Sequence, residues 1–176
     1  MNKSTISGDI VAFTSLSNKN KEIIEKEMYS LIDLLGEKYN SFCRIIKGDY
    51  LECVVQKPEE ALQIALLIKC FIKSIELDHE IGNKRFRYFK NYGVRLAIGF
   101  GSLKRFDAKK GIIDGEAIYM SGRKINKEST HNKERIVIKN TLFFVSSNDK
   151  LSFQFICKNK MSSIKKTILK MVFLSK

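Results

Sequence analysis

Two aspartates have the type and spacing to do chemistry. Asp9 lies in ISGDIVAFTSLS, residues 6–17, where Ile, Val, Ala and Phe otherwise read as an ordinary core strand. Burying an unpaired carboxylate is very costly, so Asp9 needs a basic side chain, a set of backbone donors or a metal ion as partner. Asp49 follows Gly48 between SFCRIIK (41–47) and YLECVV (50–55). Those two short strands are separated only by Gly48 and Asp49, the spacing of a two-residue hairpin. Carboxylates brought together repel unless a divalent cation lies between them. Mg²⁺ takes one or two carboxylates and completes its shell with water and substrate phosphates. The plainer alternative makes Asp9 a capping or salt-bridging residue and Asp49 a turn residue.

The elements around them must bring the pair together. Residues 4–14 read as a strand. From Lys19 to Lys38, Ile23, Ile24, Met28, Leu31, Ile32, Leu34 and Leu35 recur at helical spacing, with Ser17 or Asn18 as cap. Pro58, Glu59 and Glu60 open a second helix, 59–75, apolar almost all round and so expected to be covered on more than one side. Residues 76–92 read as an exposed charged and aromatic excursion, 93–101 as a strand ending in Gly-rich turns, and 102–112 as a basic loop. A helix opens near Asp114 or Glu116, and RIVIKNTLFFV (135–145) holds one more strand. This order predicts an α+β fold: a ferredoxin-like or palm βαββαβ core, an antiparallel sheet with helices on one face, plus C-terminal α/β additions. There the first strand is central and the hairpin turn sits beside it. Asp9 and Asp49 become neighbours.

Bulk properties narrow the setting. A chain of 176 residues, 44% hydrophobic and with one proline, is one globular domain by size. No stretch reaches the roughly 18 to 20 apolar residues of a membrane span, and MNKSTISGD is no signal peptide, so the expected location is cytoplasmic, without a membrane partner. The four cysteines form no CxxC pair, and with two histidines there is no zinc-ligand spacing; free cysteines would act as small hydrophobes. The net charge is +13, and residues 150–176 hold seven lysines and no acid. The expected division is a domain over 1–149 and a basic segment over 150–176, the latter also readable as the last strands of the same domain. Basic charge favours phosphate-rich partners; a Lys-rich solvated surface explains it equally well. No helix-turn-helix is present, so nucleic-acid binding rests on the tail's charge alone.

Four stretches resemble the motifs of class III adenylate and guanylate cyclases, in order, over about residues 5–127. SGDIVAFTSLS is similar to the segment carrying the first metal-binding Asp, RIIKGDYLECVV to the hairpin carrying the second, VRLAIGFG to the following R-x-x-I-x-x-G strand, and IIDGEAIYMSGRKI to the G-D-A-V-N-x-A-x-R helix. GDIV, GDYLE and DGEAIY also resemble the bacterial SatD family. The resemblance implies Asp9, Asp49 and the backbone carbonyl of Ile10 as ligands of Mg²⁺ or Mn²⁺. It implies Ala12, Phe13 and Thr14 on a turn whose backbone amides face a nucleoside triphosphate, Arg123 as transition-state arginine, and Lys165 or Lys166 as triphosphate lysine. In cyclases the metals activate the ribose 3′ hydroxyl and hold the leaving phosphates.

The departures concern the base and the ribose. Tyr119 stands where a ribose-orienting Asn belongs, Ile45 where a purine-selecting Lys would be, and Ile112 near its polar partner. Two aliphatic side chains cannot hydrogen-bond a purine edge. The resemblance thus implies a homodimeric nucleotidyl cyclase, a phosphorus–oxygen lyase, with degenerate base-recognition residues. Its rival is a catalytically inactive, SatD-like regulatory or interaction module of the same fold.

Overall fold

The computed structural model describes residues 2–128 and 138–147. β1 (Asn2–Ile10) is the centre of a five-stranded sheet ordered β2-β3-β1-β4-β7. It pairs antiparallel with β3 (Tyr50–Val55) and with β4 (Val94–Ser102). β2 (Phe42–Ile46) closes one edge antiparallel to β3, while β7 (Leu142–Ser146), from the C-terminal additions, joins β4 in parallel at the other. The expected palm core is present, with β1 in the middle.

Alternation along β1 sorts its side chains to two faces. Ile6 and Ile10 belong to the main apolar core with Leu51, Cys53, Leu96 and Ile98. α1 (Asn18–Tyr39) adds Ile24, Met28, Leu31 and Leu35, one stripe at spacings of three and four. Its cap is Ser17, whose hydroxyl accepts from the Asn20 amide at 3.3 Å. α2 (Ala61–Ser74) follows a single 3₁₀ turn at Pro58–Glu60 and buries Ala61, Ile64, Ala65, Leu67, Ile68 and Ile72. The sequence predicts cover on several sides, yet Cys70 is exposed: the helix hides one broad stripe. Each large aliphatic side chain buried here stabilises by about 1.5–3 kcal/mol.

The segments read as irregular carry more order than periodicity reveals. Residues 76–92 include α3 (Phe86–Tyr92), pinned by buried Phe86 and Phe89. The preceding loop is tied to the start of α1 by Glu80, whose carboxylate accepts from the Ser17 amide at 2.8 Å and from the Asn20 side chain at 2.6 Å. Burial pushes the Glu80 carboxyl up, but the donors from Ser17, Asn20 and Asn83 together outweigh it and hold the pKa down at about 2. The basic loop contains a hairpin, β5 (Arg105–Asp107) and β6 (Ile112–Asp114). Cys43 and Cys53, directly opposite in β2 and β3, form a disulfide instead of the free thiols expected. Cys157 lies outside the described residues. Among the described residues no helix is long and apolar enough to cross a membrane.

The other face of the sheet lies under α4 (Glu116–Glu128). Here the strands offer small residues, and the helix sits close. A Cβ on Gly99 would lie 2.2 Å from the Ala117 carbonyl oxygen, so glycine at this position allows the close approach. The sequence suggested a strand-end turn at Gly99 and Gly101; β4 instead runs through both to Ser102.

Candidate functional site

Asp9 is the penultimate residue of β1 and shares its face with Thr5 and Ser7, beneath α4. Its register partner in β4 is Arg95. The guanidinium meets the carboxylate with two parallel bonds: Nε donates to Oδ1 at 2.9 Å, and Nη2 donates to Oδ2. The third nitrogen, Nη1, donates to the carbonyl of Glu128 at the end of α4. Arg95 is only 5% exposed at its side chain, and Asp9 17%. Burial pushes the Asp9 carboxyl above its ordinary range, outweighing the downward pull of Arg95. The partner that Asp9 needs is therefore first a basic side chain.

Asp49 comes to the same place from the hairpin. Ile46 pairs with Tyr50, so the connection is Lys47, Gly48 and Asp49, three residues where two were expected. Lys47 and Gly48 both take positive φ (55° and 79°), and glycine adopts that conformation without the Cβ cost. The Ile10 amide donates to the Asp49 carbonyl at 3.0 Å, locking the hairpin tip to the end of β1. The Asp49 carboxyl is raised by burial and then by the negative charge of Asp9, with Lys47 and Arg95 offsetting part. Two half-buried carboxylates that repel, with no sulfur or imidazole grouped with them among the described residues, fit a hard, oxygen-ligated cation such as Mg²⁺ or Mn²⁺. Among the described residues no cluster of three or more His, Cys, Asp or Glu side chains is placed to hold a metal. A cation held here would draw on these two carboxylates and on main-chain oxygens, for which the resemblance names the Ile10 carbonyl.

The chain leaves β1 through Ala12, a non-glycine residue at φ 61°, into a 3₁₀ turn at Phe13–Ser15. Left-handed backbone costs an alanine about 1–2 kcal/mol, so the turn is held by its surroundings. Phe13 is buried and borders Gly48 of the hairpin tip, while Thr14 faces solvent.

Arg123 and Tyr119 lie one turn apart on α4 and interact: the guanidinium sits 6.0 Å from the ring centroid, and the Tyr119 hydroxyl donates to Asp114. Tyr119 is 51% exposed, and Arg123 is also exposed. Ser121, two residues from each, faces the sheet: its hydroxyl is 2.7 Å from Ser7 Oγ and 3.1 Å from Thr5 Oγ1. Two residues are about 200° of helix, so Tyr119 and Arg123 face away from Asp9 of their own chain.

Ile45 pairs with Leu51 and packs against the apolar core, on the sheet face opposite Asp9. Ile112 begins β6 and is partly buried. The β5–β6 hairpin that holds it is tied to the sheet by Arg44. The Arg44 guanidinium donates to Glu52 from Nε at 2.9 Å and Nη2 at 2.6 Å, and from Nη1 to the Gly111 carbonyl. Phe42 and Phe106 meet edge to face at 5.6 Å alongside it. Lys165 and Lys166 lie outside the described residues.

Arg95 is the residue that sequence reasoning passed over. A lone arginine in the apolar strand VRLAIGFG is as anomalous as Asp9 in its own strand, and matching the two anomalies would have found the pair.

The fold resembles nucleotidyl cyclase domains. One structure of a bacterial light-regulated adenylyl cyclase superposes with a TM-score of 0.55 at 17% identity, over 81% of this chain and 43% of that one. Another gives 0.53 at 16% identity over 81% and 74%. The adenylate cyclases of Trypanosoma brucei, in their monomeric state, give 0.52 at 15% identity over 69% and 67%. This chain thus spans less than half the length of the first. No protein-family model and no curated protein matches the sequence.

Proposed function

We propose that this chain binds a nucleoside triphosphate through a divalent cation held by Asp9 and Asp49, as a domain of the nucleotidyl cyclase kind, and that it forms a cyclic nucleotide. The observation that carries the reading is the convergence of Asp9 and Asp49, 40 residues apart in sequence, at one end of the central strand. A cation bound there supplies charge neutralisation for the phosphates and activates an attacking hydroxyl. The chain's own residues supply the rest. The Ala12–Ser15 turn lies at the open end of β1, where backbone amides can meet phosphate oxygens. Arg123 offers a permanent positive charge to a phosphate under attack.

Arg123 and Tyr119 face away from Asp9 of the same chain, which supports a site completed by a second copy. Chains carrying Asp49→Ala and chains carrying Arg123→Ala are then each inactive, yet recover part of the turnover when mixed. Turnover of ATP and GTP with Mn²⁺, measured on each variant and on the mixture, tests this. A mixture as dead as its components contradicts a shared site.

A second reading, a SatD-like module that binds nucleotide without turning it over, is favoured by three placements. Tyr119 replaces the ribose-orienting Asn and bonds Asp114, Ile45 faces the core, and Arg95 engages Asp9. Binding without product in the same assay selects it.

A further inference from the structure

Arg95 engages both oxygens of a carboxylate that the proposed function assigns to a cation. Resting on that reading, we infer that Arg95 and a divalent cation compete for Asp9, so that Arg95 sets the threshold for cation entry. The carboxylate is paired on both oxygens, at 2.9 Å on the Nε side. A cation ligated by Asp9 must share or displace that pair. The guanidinium is almost fully enclosed, and its remaining described bond runs to the Glu128 carbonyl at the end of α4. It therefore stays close when the carboxylate changes partner, and a fixed positive charge beside an entering dication opposes it. The two aspartates and Arg95 together carry a single net negative charge, weak attraction for a dication without other ligands. Removing the guanidinium leaves two negative charges and releases the Asp9 oxygens from that two-point contact.

Arg95 also holds α4, because the same guanidinium grips Asp9 and the last turn of the helix that carries Arg123 and Tyr119. It is a positioning residue: it acts through Asp9.

The test measures Mn²⁺ binding, without nucleotide, to the full chain, reading free Mn²⁺ by electron paramagnetic resonance. Far-UV circular dichroism of each variant establishes its fold. Arg95→Gln should bind Mn²⁺ about tenfold more tightly than the parent chain, or better. Arg95→Lys keeps the charge but not the two-point contact, and should fall between them; it serves as the comparison if Arg95→Gln fails to fold. Adding Asp49→Asn to either variant should abolish the gain. A folded variant binding Mn²⁺ no more tightly than the parent overturns the competition while leaving the cation reading intact. A merely structural Arg95 would give that result, with lower stability and no gain in affinity. If neither parent nor variants bind Mn²⁺ at millimolar concentration, the cation reading itself fails and takes this inference with it.

Discussion

The two faces of the central sheet are built on opposite principles. Under α1 and α2 the strands present Ile6, Leu51, Leu96 and Ile98, and apolar side chains dominate the interface, with Lys69 of α2 donating to the Val94 carbonyl at the start of β4. Under α4 the same strands present Thr5, Ser7, Asp9, Arg95 and Gly99, and the interface is small, close and hydrogen-bonded. An apolar face gains stability in proportion to area and tolerates change in proportion to the volume lost. A polar face gains little net, but it fails sharply when one member of a pair is left behind. The candidate chemistry sits on the second face, where carboxylates can be kept half-buried and ready to change partner.

Breaking the comparison should be easiest at Arg95. Arg95→Met leaves Asp9 buried without its cation and should cost about 3–5 kcal/mol, whereas Asp9→Asn with Arg95→Met should recover most of the loss. Urea unfolding of the two single variants and the double variant measures that coupling. On the apolar face Ile98→Ala should cost about 2–5 kcal/mol, and a distant second apolar truncation should simply add to it. Gly99→Ala drives a methyl into the Ala117 carbonyl and should cost about 1–3 kcal/mol as α4 is pushed off β4. Ser121→Ala removes the hydroxyl between Thr5 and Ser7 and should cost about 1 kcal/mol, seen as a shift in thermal midpoint.

The smallest effect is one of pH, and it sharpens the contrast between carboxylates. The folded pKa of Asp49 is raised, so the folded state binds more protons there than the unfolded chain. Its contribution to stability is present below the ordinary carboxylate value near 3.8 and is lost as pH rises through the raised folded value. Glu80 runs the other way: with a folded pKa of about 2, its contribution is present above the ordinary value near 4.5 and is lost as pH falls toward 2. Asp49→Asn should therefore raise the melting temperature at pH 7 and flatten its fall above pH 4, while Glu80→Gln should lower it at pH 7 and flatten the acid limb. A melting curve at each pH separates the two.

The sequence made the sheet legible because the relevant signals are local. The helical stripe of α1, the Ser17 cap and the strands around Gly48 and Asp49 are all written in consecutive residues. The meeting of Asp9 and Asp49 followed from the order of those elements. What was not legible depends on register. Arg95 opposes Asp9 only because β4 pairs antiparallel with β1 at one alignment, and slipping by one residue would send it to the other face. The same holds for Cys43 and Cys53, whose pairing across β2 and β3 leaves no spacing motif. Ile45 illustrates the converse. It sits where the resemblance implied base contact, but alternation along β2 turns its side chain into the core. Arg44, one residue before, lies on the face of Asp9.

The most direct test of the two-aspartate site is a thermal-shift screen of the full chain against ATP, GTP, CTP and UTP, each with and without Mn²⁺. A ligand that binds only the folded state raises the melting temperature by mass action. The account predicts a rise with at least one triphosphate that requires Mn²⁺ and disappears in Asp49→Ala. No rise with any of the four, or a rise that Asp49→Ala leaves unchanged, would contradict it.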